Sequence, residues 1–277
     1  MKVWAWAALL ATSHALAQTP ERMVVLDVAA ADTLQVLGDA DKIIALPKAS
    51  LPAYLSPLLS AHTVDTGALN KLAYSQLRHI KPDVIYAPKL PPATQAGLGQ
   101  IAPTQVLAFS PNTYRQDFER NALAVASTAA KQNLAKQRLH GLQQQMSALQ
   151  AQIASDNRSL LVLEHDQGHY RWRAQAAYQG LLYGVLNIKR PVNLPTQEQE
   201  VTLEQLQAWQ PEALWVIDVS GAQNRQAVDL SVLETAAQGT PAAQQQRIKM
   251  LSAAHWPTVA VGLQGLQLQL DEVARTW

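Results

Sequence analysis

The 277-residue sequence contains no cysteine, so it forms no disulfide and offers no thiol to carry a lipid at a processed amino terminus. It has no excess charge of either sign. Its 22 basic and 21 acidic residues leave a net charge of +1, which gives no reason to expect nucleic acid or an acidic membrane surface as a partner. Glycine is scarce at 12 residues, and no Gly-x-Ser-x-Gly elbow or glycine-rich phosphate loop occurs. Past the amino end, no stretch approaches the roughly 20 apolar residues a membrane helix needs. These absences argue against catalysis by a nucleophilic serine, against nucleotide chemistry and against an integral membrane protein.

At the amino end, Lys2 is followed by a short apolar run and then by Ala15-Leu16-Ala17, a small-x-small cleavage pattern. Residues 1–17 therefore read as a cleavable secretory signal, and the mature chain is expected to be soluble, periplasmic and not lipid-anchored.

The strongest internal feature is a unit present twice. The first copy, Leu72-Ala-Tyr-Ser-Gln-Leu77-Arg-His-Ile-Lys-Pro82-Asp83-Val-Ile-Tyr-Ala87, aligns without gaps with Val201-Thr-Leu-Glu-Gln-Leu206-Gln-Ala-Trp-Gln-Pro211-Glu212-Ala-Leu-Trp-Val216. Each copy reads as a helix, a proline-led turn with an acidic residue, and a strand buried on both faces. Around the first copy, strands are expected at residues 23–26, 43–46, 84–87 and 105–109, with a loop at 27–31 and a helix at 33–37 stopped by Gly38. Around the second, strands are expected at 160–163 and 215–218 and helices at 180–186 and 263–274. Alternating strand and helix predict a mainly parallel, doubly covered sheet in each half. Between the halves, Leu139, Leu142, Met146, Leu149 and Ile153 recur at helical spacing and predict one long helix over 132–154. The expected organisation is an amino-terminal α/β lobe (18–112), a helical segment containing the backbone helix (113–157) and a carboxy-terminal α/β lobe (158–277).

The series Val25-Leu-Asp27, Asp32 through Gly38, Asp41 through Lys48, Leu51 through Leu55 and Ile80 through Ile85 resembles periplasmic binding proteins for iron-siderophore uptake, and within them the catecholate, petrobactin-type branch. The resemblance implies a class III periplasmic binding protein: two Rossmann-like lobes joined by a long backbone helix, a shallow cleft between them, and delivery of an iron chelate, expected to be a catecholate-type siderophore, to an ABC permease. It implies iron bound only within the ligand and no cofactor of the protein's own. The family's first cleft arginine falls on Lys89, and its second-lobe arginines fall on Tyr178 and Val219. The histidine and tyrosine that meet iron fall near Gln197 and at residues 257–259. The resemblance also implies two permease-docking positions seven residues before each repeat proline: Glu204, which keeps the acid, and Ser75, which does not.

Read from residue chemistry, an anionic chelate needs cations and aromatic surface. Lys48, Lys89, Arg171, Arg173 and Arg225 are the candidate cations, and Trp172, Tyr178 and Trp256 the candidate aromatic contacts. In an extended segment Arg171 and Arg173 share one face and Tyr170 and Trp172 the other; the arginines then either meet the ligand or sit on a solvated hairpin. His62, His79, His140, His165, His169 and His255 show no metal-ligand pattern, so no metal site is expected. Asp27 and Asp218 each end a strand and serve either as a carboxylate pair or as loop braces, with bracing the favoured reading and no enzymatic activity expected. The partners expected are one chelate and one permease, with the binding protein a monomer. Haem or corrinoid capture, or an accessory role without transport, are the alternatives.

Overall fold

The computed structural model describes residues 19–222 and 227–277; the expected signal segment lies outside the described residues. In chain order the first half runs β1 (Met23–Val25), α1 (Val28–Leu37), β2 (Ile43–Leu46), β3 (Val64–Asp65), α2 (Tyr74–His79), β4 (Val84–Pro88), α3 (Pro92–Gly99), β5 (Thr104–Leu107) and α4 (Tyr114–Thr128). Helix α5 (Gln132–Asp156) follows. The second half runs β6 (Leu160–Asp166), β7 (His169–Trp172), α6 (Ala177–Gln179) with a π-helical turn Gly180–Val185, β8 (Gln199–Val201), α7 (Leu203–Trp209) and β9 (Ala213–Asp218). It closes with α8 (Val219–Ala222), α9 (Leu230–Ala236), α10 (Pro241–Gln244), β10 (Ile248–Leu251) and α11 (Leu263–Thr276).

Two five-stranded sheets result, β3-β2-β1-β4-β5 and β10-β9-β6-β7-β8. The repeat explains their common plan. Its strands, β4 and β9, pair in parallel with the first strand of each lobe, β1 and β6. Lys81 and Gln210, the residues before the two prolines, both take the left-handed conformation, at φ 45° and 44°. Each helix is thus turned sharply into the following strand by a residue that proline discourages from helical geometry. The acidic residue after proline has the same use in both copies. Asp83 accepts from the backbone amides of Glu21 and Arg22 just before β1, and Glu212 accepts from Ser159 just before β6. It ties the start of the lobe's first strand to the start of the repeat strand.

Two departures from the expected elements have local causes. The stretch read as a loop after β1 is the first turn of α1, because the Asp27 side chain accepts from the Ala30 amide and caps the helix there. The second sheet is mixed: β6, β7 and β8 are antiparallel. Gln167 and Gly168 both have positive φ, 54° and 86°, so they form the two-residue turn that returns the chain directly alongside β6.

Helix α5 matches the apolar stripe. Ala135, Leu139, Leu142, Met146, Leu149 and Ile153 are its buried residues, and its 25 residues span about 37 Å at 1.5 Å per residue. Asn157, at φ 49°, closes it in the left-handed conformation. It packs against α4 and α11.

Close polar and backbone contacts join the halves. Asp32 of α1 is fully buried, and its carboxylate accepts from the backbone amides of Gly262 (3.1 Å), Gln264 (2.7 Å) and Gly265 (2.7 Å) at the start of α11, and from the Tyr54 hydroxyl (2.7 Å). A carboxylate at a helix start satisfies amides that have no partner within the helix and complements the helix dipole. At another such contact Gly180 lies against the Pro111 backbone so closely that an added Cβ would overlap the proline carbonyl.

Candidate functional site

A cavity of about 260 Å³ opens between the two lobes. The first lobe contributes residues just past strand ends: Leu26, Asp27 and Val28 after β1, Pro88 and Lys89 at the end of β4, and Leu107 with Phe109 from β5. The order β3-β2-β1-β4-β5 makes β1 and β4 the place where the chain's crossovers diverge, and ligands of open α/β sheets bind beyond the carboxyl ends of the strands there. The second lobe supplies Gln175 and Ala177, just past β7, and Thr258, Val259 and Ala260, which lead into α11. Those three residues carry no strand or helix signal. The Asp32 carboxylate, by fixing Gly262, holds the end of that segment against the first lobe.

Among the described residues the lining holds one cation, Lys89, and one anion, Asp27. Lys89 is exposed. The Asp27 carboxyl, whose residue keeps a partly exposed edge, is raised from 3.8 to about 6 by burial, against the lowering effect of the Ala30 and Ala29 amides. Between the unfolded value and about 6 the folded chain therefore holds a proton that the unfolded chain has released. Its stabilising contribution is full below pH 3.8 and is lost as pH climbs to about 6. Asp27→Asn keeps a capping oxygen and is expected to flatten the pH dependence of urea unfolding across that window. A profile identical to wild type would show a carboxyl that titrates as it does unfolded.

Of the eight residues expected to touch ligand, Lys89 alone lines this cavity among the described residues. The three aromatic candidates are buried and do not line this cavity. Trp172 is 2% exposed, packs into the core of the second lobe and donates its indole N–H to the Pro195 carbonyl at 2.9 Å. Tyr178 and Trp256 are each 1% exposed and meet edge to face, with Tyr178 donating to Glu164 and Trp256 to Glu272. Burial, with Glu164 nearby, holds the Tyr178 hydroxyl well above its usual pKa, so it stays a donor.

The cations of the β6-β7 hairpin face acids. Arg173 is bound to Glu164 at 2.8 Å and to Glu198 at 3.2 Å. Arg171 stands across from Glu164 on one side and Glu200 on the other. The aromatics do take the opposite, core side, since Trp172 is buried with Tyr170 packed beside it. Lys48 lies past β2, where its ammonium donates to the Ser60 carbonyl. Arg225 lies outside the described residues.

His165 is buried, with Nδ1 3.2 Å from Asp218 and Nε2 accepting from the Gly168 amide. Asp218 also accepts from the Val228 amide and the Ser220 hydroxyl. This cluster joins β6, β9 and the hairpin turn. Asp27 caps α1, so the two aspartates brace separate loops. Among the described residues no group of three His, Cys, Asp or Glu side chains is placed to hold a metal ion, and no helix is long and apolar enough to cross a membrane.

Comparison with known proteins gives the fold and the family. The petrobactin-binding protein YclQ of Bacillus subtilis is 24% identical over 260 residues, covering 92% of this chain and 82% of that protein. The iron uptake ABC transporter substrate-binding protein PiuA from Streptococcus pneumoniae superimposes with a TM-score of 0.83 at 26% identity, covering 95% and 94% of the two chains. BauB, solved with a complex of two acinetobactin molecules and ferric iron, gives 0.83 at 23% identity, covering 94% and 93%. The two lobes are those of class III periplasmic binding proteins. Residues 23–254 match the family described as Periplasmic binding protein, and the chain belongs to that family.

Proposed function

We propose that this chain captures an iron chelate of the siderophore kind outside the inner membrane and hands it, without turnover, to an ABC permease. The observation that carries the reading is the cavity between two lobes at the carboxyl ends of β1 and β4, in a chain whose relatives include the petrobactin-binding YclQ and the acinetobactin-binding BauB. Residues 1–17 act in this reading as the export signal, iron enters only inside its chelate, and the protein works as a monomer. Quenching of tryptophan fluorescence on titration with ferric siderophores, with stoichiometry from native mass spectrometry, tests it. Quenching by haem or a corrinoid alone would replace the ligand class. No response to any chelate would favour an accessory protein that does not transport.

Permease docking belongs to the same proposal. Glu204 and Ser75 are both exposed and occupy matching places near the starts of α7 and α2. Its own backbone amide, and then the Thr202 hydroxyl, hold the Glu204 carboxyl below its usual pKa, so it stays charged. Exposed charge pairs at a rim tune association rather than create it. Ser75→Glu is expected to tighten binding to the cognate permease in nanodiscs severalfold, and Glu204→Ala to weaken it severalfold, with chelate affinity unmoved. Equal permease binding by all three chains would remove these positions from the docking surface.

A further inference from the structure

The charge balance of the cleft narrows the ligand, and this inference rests on the chelate-capture reading. The first-lobe wall offers the single cation Lys89 with the single anion Asp27, among the described residues. The second-lobe wall, Gln175, Ala177 and Thr258 to Ala260, carries no charge among the described residues, which do not include Arg225. The arginines nearest to it in sequence do not line the cavity, and Arg173 is bound to Glu164 and Glu198. A ferric tris-catecholate is a trianion. Moving it from water into such a cleft removes hydration that one lysine, in a lining that also holds an aspartate, cannot replace. A ferric tris-hydroxamate is neutral, presents hydrocarbon and amide groups, and suits a wall of Val28, Phe109, Ala177 and Val259 with one cation for a chelate oxygen and one carboxyl for a ligand N–H.

We propose that the cleft selects a ferric chelate of net charge near zero over a trianionic tris-catecholate, with Lys89 taking a chelate oxygen and Asp27 a ligand donor group. The test is titration of the full mature chain with a neutral ferric tris-hydroxamate, a ferric tris-catecholate of similar size, and haem. The hydroxamate is expected to bind at least about tenfold more tightly than the catecholate, a difference well above titration error. Its affinity should change little from about 0.05 to 0.5 M salt, since screening acts on net charge. Val259 is 51% exposed on the cavity wall, so Val259→Arg adds a cation without disturbing the core. It should shift the preference toward the tris-catecholate by about tenfold, the scale of one charge-assisted hydrogen bond. A wild-type preference for the tris-catecholate with steep salt dependence, or a Val259→Arg preference that does not move, overturns the charge inference and leaves chelate capture standing. Binding of haem alone, or of no probe, overturns both.

Discussion

Asp32→Asn is expected to lower the unfolding free energy by about 3 to 5 kcal/mol, the cost typical of breaking one side of a buried charged network. Four donors converge on the native carboxylate: three backbone amides from the first turn of α11 and the Tyr54 hydroxyl. An asparagine keeps one oxygen and turns an NH₂ toward the remaining donors, so buried amides lose their acceptor. Burial raises the pKa of the native carboxyl and the same four donors oppose that rise. Because the network joins α1 of the first lobe to the segment carrying Thr258 to Ala260, its loss should loosen the cleft as well as the core. Urea unfolding measures the first effect, and hydrogen exchange at the α11 amides the second. Native-like stability and protection in Asp32→Asn would mean that the lobes are held elsewhere.

Trp256→Ala should cost about 3 to 5 kcal/mol, the range for emptying a large aromatic site in a core. The side chain is 1% exposed, lies against Tyr178 and donates to Glu272 of α11, a carboxylate that also lies 3.1 Å from His255. Trp256→Phe keeps much of the volume and loses the hydrogen bond, so it should fall between wild type and alanine. Chelate affinity measured well below the unfolding midpoint separates this role from the one its chemistry first suggested. If the alanine variant keeps its stability and loses ligand, the indole is a wall of the site after all.

The repeat was legible because its signal is local. Helical spacing, a proline and an apolar run lie within sixteen residues in each copy, and the strands β4 and β9 form where that pattern places them. The long helix was legible for the same reason: its buried residues are those of the apolar stripe. The start of α1 was misread because Asp27 followed by small residues fits a loop or a cap equally well. A hairpin was one of two open readings of the Arg171 segment, and Gln167, unlike glycine or asparagine, gives little sign of the positive φ that makes it.

The site was far less legible. Trp172, Tyr178 and Trp256 could serve a ligand or a core, and only packing shows that all three are buried. Arg173 could face an anion until Glu164 and Glu198, brought in by β6 and the approach to β8, neutralise it. Lys89 was singled out because the resemblance places the family's first cleft arginine there, and it lines the cavity just past the end of β4. Thr258 and Val259 were reached only through the resemblance, which places the family's tyrosine at residues 257–259, and Ala260 was missed because nothing in its own stretch marks it.

The sequence by itself determined the α/β alternation, the duplicated unit and the backbone helix, because these depend on periodicity and turn chemistry between residues close along the chain. Tertiary structure alone decided which charges stay uncompensated at the cleft and which aromatics line it. Those outcomes depend on partners far apart in sequence, such as Asp32 with Gly262 and Arg173 with Glu198, and on the water that their packing excludes.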